Sequence, residues 1–138
     1  MKIVITTLAA AALALAAPMA AHAAGVAIVQ APEQSFGICA AQNATEAFSC
    51  AKKQCVEGGA AAADCYEMAY CDYGWTVDIF MQSEQEGNHW HEYHCGWNSR
   101  AEAEAAGKLA CNPERTKDLS TCTTVQIYDP DALPQMEQ

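Results

Sequence analysis

The sequence is poor in positive charge: 7 Lys and Arg stand against 17 Asp and Glu in 138 residues, a formal net charge of −10. A surface with that balance repels phosphate backbones and anionic lipid, which argues against nucleic acid as a partner. Past residues 3–17 there is no long apolar run, so nothing downstream approaches the ~20 residues needed to span a bilayer. No Cys-x-x-Cys pair occurs, which removes a thioredoxin-like redox site and a zinc ribbon. Gly-x-Ser-x-Gly, phosphate-loop and dinucleotide glycine patterns are missing too, and no catalytic residue is assigned.

What the chain does have begins with a leader. Met1 and Lys2 precede the apolar run, and Ala21-His22-Ala23 gives a small-x-small cleavage site. Residues 1–23 therefore read as a signal peptide. No cysteine directly follows the site, so a lipoprotein anchor is not indicated. Cleavage leaves 115 residues with six basic and 17 acidic side chains, a formal charge of −11. That length suits a single domain. It is read as residues 24–128, made of two related halves (24–72 and 73–128), followed by a loose acidic tail at 129–138. Eight cysteines in an exported chain of this size point to disulfides and to a periplasmic or secreted location.

The halves are visible as an internal repeat. Cys39, Glu46, Ala47, Lys52 and Cys55 recur 56 residues later as Cys95, Glu102, Ala103, Lys108 and Cys111. Cys65 and Cys122 follow at nearly matching distances. In the first half, β-branched residues 26–30 and the extended segment 36–40 flank a Pro-containing break, as in a hairpin. Asn43 then caps an amphipathic helix in which Ala47, Phe48, Ala51 and Cys55 recur at helical spacing, and Gly58-Gly59 ends it. Residues 65–71 read as a strand. The second half repeats this plan with strands 75–81 and 89–95, a helix capped by Ser99 and running to about Cys111, and strand 121–128. The sum is an α+β fold: a pseudo-two-fold ββαβ repeat, with an antiparallel-rich sheet carrying two helices on one face and stabilised by disulfides.

The repeat favours Cys55–Cys65 and Cys111–Cys122 as equivalent bridges. Cys39, Cys50, Cys71 and Cys95 then remain, with three pairings open. Cys50 and Cys71 lack counterparts in the second half, which favours Cys50–Cys71 with Cys39–Cys95.

The run Cys95-Gly96-Trp97-Asn98-Ser99-Arg100-Ala101-Glu102-Ala103-Glu104-Ala105-Ala106, the cysteine at Cys111, and Cys122-Thr123-Thr124-Val125 together resemble a known pattern. They look like the bacterial secreted domain-of-unknown-function family 4189, over residues 75–128 with a weaker echo in the first half. The resemblance implies a small exported α+β module and no particular reaction. The Cys111 to Cys122 loop and the histidine-rich strand depart from the family pattern.

Candidate chemistry concentrates in His89-Trp90-His91-Glu92-Tyr93-His94-Cys95. On a strand, His89, His91 and Tyr93 share one face, and Trp90, Glu92 and His94 the other. A His-x-His pair can place two imidazoles on one Zn or Cu ion, with His94 or a carboxylate completing the set. Aromatic cross-strand packing is the plainer account of the same residues. A Cys–His nucleophile would need Cys95 reduced, which an oxidising compartment opposes. Trp90 and Trp97 are candidates for a binding surface if exposed. The reading that follows is a non-catalytic binding module of the bacterial cell envelope, recognising a protein, envelope component or small ligand. The alternative is a transition-metal protein using His89, His91 and His94.

Overall fold

A computed structural model describes residues 25–136 except Glu86. The signal peptide expected at 1–23 lies outside the described residues. The elements run β1 (Gly25–Ala31), β2 (Ser35–Ala41), α1 (Ala44–Glu57), β3 (Tyr66–Cys71), β4 (Trp75–Ser83), β5 (His89–Trp97), α2 (Arg100–Ala110) and β6 (Leu119–Tyr128). Both helices start where the capping residues place them. Asn43 Oδ1 accepts from the Glu46 amide, and Ser99 Oγ from the Glu102 amide, satisfying donors that the first helical turn leaves open.

The α+β class, the antiparallel pairing and the disulfide stapling are as the sequence predicts. The layering is different. The strands form two three-stranded antiparallel sheets, ordered β2-β1-β3 and β5-β4-β6, instead of one sheet with both helices on one face. Each sheet has its own helix. Ala27, Val29 and Ala31 pack with Ala47, Ala51 and Cys55 of α1. Val77, Ile79 and Met81 pack with Ala103 of α2. The opposite faces meet in a third cluster, where Val26, Ile28 and Ile38 of the first sheet contact Tyr128 and Tyr93 of the second.

The reason lies in β1. Its Val26-Ala27-Ile28-Val29 run is fully buried on both faces, and a strand apolar on both faces needs a layer on each side. The molecule is therefore layered helix, sheet, sheet, helix.

All eight cysteines are bonded: Cys39–Cys50, Cys55–Cys65, Cys71–Cys95 and Cys111–Cys122. The two bridges favoured by the repeat are formed. The pairs Cys50–Cys71 and Cys39–Cys95 are not. Cys39 instead ties β2 to the helix that follows it, and Cys71 ties β3 to β5 of the other half.

The segment after β6 is not loose over its described part. Tyr128 bridges Pro134, and Gln126 Oε1 accepts from the amides of Gln135 and Met136. Asp129 Oδ1 accepts from the amides of Asp131 and Leu133, which closes the turn.

Candidate functional site

The predicted alternation along β5 holds, and it divides the candidate residues between two environments. His91 lies across from Phe80 and Tyr93 across from Asp78, facing the first sheet. Trp90, Glu92 and His94 lie across from Met81, Ile79 and Val77, on the face that carries α2.

Between the sheets, Asp78 is 6% exposed and its Oδ1 is 2.7 Å from His91 Nδ1. Burial pushes the Asp78 carboxyl above the ordinary carboxylate range, with the His91 hydrogen bond opposing the shift. Burial also raises both neighbouring phenols, Tyr93 well above its usual value and Tyr128 to about 12, and the Asp78 charge adds to each shift. Rings fill the rest of the space. His91 stacks on Tyr93 at 6.1 Å, Phe36 stacks on Tyr93 at 5.8 Å, and Phe80 sits 5.6 Å from the rings of both His89 and His91. This is a packed polar–aromatic seam, not a cleft.

The three histidines do not converge. His89 pairs with Glu33 at 3.6 Å, His91 with Asp78 at 2.7 Å, and His94 with Glu92 at 3.3 Å. Phe80 separates the first two, and His94 lies on the other face. Among the described residues no group of three or more His, Cys, Asp or Glu could hold a metal ion. Cys95 is bonded to Cys71, so the thiol weighed beside the histidines is not a nucleophile.

On the α2 face the candidates do come together. Trp90, Glu92, His94 and Trp97 line a groove of about 570 Å³ between β5, α2 and the loop that follows the helix. Met81, Ala106, Ala110 and Leu119 give it an apolar bed, with Leu109, Arg115, Thr116 and Asp118 around them. Trp90 is 38% exposed and Leu109 58%. The strand wall is tied together: Trp90 Nε1 donates to Glu92 Oε1 at 3.3 Å, and Trp97 Nε1 donates to the His94 carbonyl at 3.2 Å.

The groove exists because the second half departs from the first. In the first sheet Gly37, paired with Val29, lets α1 close on β2, and a Cβ there would collide with the Ala51 carbonyl. Ile79, the counterpart of Val29 in the second sheet, is paired with Glu92. Trp90 and His94 flank it on the same face. The close approach of α2 is made elsewhere: a Cβ on Gly107 would strike Thr124 Oγ1 of β6. The closest approach of α2 to its sheet thus falls on β6 at Gly107, whereas that of α1 falls on β2 at Gly37.

Of the residues lining the groove, the sequence singles out Trp90 and Trp97 as a candidate binding surface and His94 only as a candidate metal ligand, and it does not single out Arg115, Asp118 or Leu109. Those residues lie past or on the exposed side of the helix, and only the folding of the 111–122 loop brings them over β5. It also missed the Asp78–His91 pair, for which the alternation of β4 carried a signal: Asp78 is a charged residue between Val77 and Ile79 in a strand read as apolar on one face.

The chain matches no family model, no curated protein and no solved structure. The likeness to family 4189 rests on the residues quoted for it.

Proposed function

We propose that the protein is an exported, non-catalytic binding module of the bacterial envelope whose ligand site is the β5–α2 groove. The carrying observation is that Trp90 and Trp97, the two aromatics singled out as a binding surface, line the same concavity with His94 and Glu92. A partly apolar cleft of this size with a few converging polar groups is the usual form of a small-ligand or side-chain site. Export is supported by the leader motif and by a cysteine complement entirely engaged in disulfides. The acidic surface favours a neutral or basic ligand over an anionic one.

The test is photo-cross-linking with the full precursor produced in a bacterium. A benzophenone amino acid replaces Leu109 at the groove or, as control, Val56 on the exposed side of α1. Intact mass after irradiation should show an adduct from position 109 that is absent from position 56 and lost with Trp90→Ala. No adduct, or equal adducts from both positions, would remove the groove as the site.

A further inference from the structure

Not every charged side chain that lines the groove has an ion-pair partner among the described residues. Glu92 is engaged on both oxygens, by Trp90 Nε1 and by His94 Nε2. Arg115 and Asp118 stand exposed on the loop after α2 and line the same groove. Neither forms an ion pair with the other or with another side chain among the described residues. One guanidinium and one carboxylate without a side-chain partner therefore belong to residues that line the groove together with Met81, Leu119 and Trp97.

From this we infer that the groove takes a zwitterionic ligand with an apolar body: an apolar α-amino acid or a dipeptide of such residues. The inference rests on the groove being the ligand site. Arg115 offers paired N–H donors to a carboxylate, and Asp118 accepts from an ammonium. A simple organic acid would leave Asp118 facing an anion, and a simple amine would leave Arg115 unanswered. The whole-molecule charge points the same way, because a chain at −11 repels anions but exerts no net Coulomb force on a zwitterion. The volume of about 570 Å³ lies within the range of small-ligand pockets, roughly 300–1,000 Å³.

The experiment follows the indole N–H resonances of the uniformly labelled mature protein by NMR, assigned with Trp→Phe variants. The chain has three tryptophans, and Trp75, which does not line the groove, is the internal control. L-phenylalanine and L-leucyl-L-phenylalanine are titrated separately, which distinguishes a free amino acid from a peptide as the source of the head groups. One or both should shift Trp90 and Trp97 saturably and by more than Trp75, which the ligand reaches only through its cross-strand neighbour Trp97. N-acetylation or C-amidation should each weaken binding at least tenfold. Arg115→Gln should abolish the effect of the amide cap, and Asp118→Asn that of the acetyl cap. Equal affinity for the doubly capped compound would overturn the head-group inference and leave the groove as an apolar site. Absence of any shift with all probes would also overturn it, and the cross-linking result would then judge the groove separately.

Discussion

Cys39 and His94 occupy corresponding places in the two sheets. Cys39 lies across from Ala27 and His94 across from Val77, and Ala27 and Val77 are the buried middle-strand residues on the helix-bearing faces. The sequence repeat, however, aligns Cys39 with Cys95. The one-residue discrepancy is absorbed by a bulge: Thr76 pairs with Cys95 and Trp75 with Trp97, leaving Gly96 as the extra residue at φ 89°. Because side chains alternate along a strand, this shift turns Cys95 toward the first sheet and Cys71, and gives His94 the place by the helix. The first half uses that place for a staple to α1, and the second half uses it for a groove wall.

Gly96→Ala should therefore cost about 1–2 kcal/mol from the left-handed backbone alone, since a Cβ there meets nothing closer than 3.8 Å. Urea unfolding of the oxidised protein measures this. A neutral substitution would mean that the bulge does not need the glycine conformation.

Cys71–Cys95 is the one disulfide that joins the two halves, across a sequence separation of 24. Replacing both cysteines with Ala should lower stability by about 3.5 kcal/mol in the chain-entropy model. The loss should exceed that of the Cys39/Cys50 pair, whose separation is 11. The order of the two midpoints in urea is the check, and the reverse order would contradict the account.

The Asp78 carboxyl is raised by burial between the sheets, so the folded state holds its proton more tightly than the unfolded chain does. Its contribution to stability is fully present below the ordinary carboxylate value and is lost as pH rises through the raised one. The melting temperature of the wild type minus that of Asp78→Asn should fall as pH is taken from 3 to 7. A flat or rising difference would show that pairing with His91, not desolvation, dominates.

Tyr128 is raised to about 12 and Tyr93 further. Both phenols are thus neutral in the fold when an unfolded tyrosine, near 10, has begun to ionise. Their contribution is present below pH 10 and is lost as pH rises toward 12. Alkaline unfolding should set in over that window, with two of the five tyrosines ionising only as the fold opens. Ultraviolet titration beside circular dichroism measures both, and complete tyrosine ionisation ahead of the loss of structure would refute this.

Much of the fold is legible in the sequence. Asn43 and Ser99 announced the helix starts because a short side-chain acceptor three residues before a glutamate suits an N-terminus. The alternation of Val77, Ile79 and Met81 gave β4 a buried face. The repeat predicts two helices sharing one face of a single sheet, whereas the strands form two sheets. The stronger signal was the two-sided burial of β1, where four consecutive apolar residues require cover above and below. Of the groove, Trp90 and Trp97 are legible as binding-surface candidates and His94 only as a metal-ligand candidate, but their assembly is not.

The sequence by itself determined the local structure: the strand faces, the helix starts, and the two short bridges Cys55–Cys65 and Cys111–Cys122, whose spacing recurs in both halves. These depend on contacts within a few turns or one hairpin. The tertiary structure alone decided which sheet face meets which, that Cys71 joins Cys95 across the two halves and so leaves Cys39 to Cys50, and that β5, α2 and the loop after the helix enclose a groove. Those outcomes rest on contacts between distant segments, where one bulge at Gly96 changes the face that each residue of β5 presents.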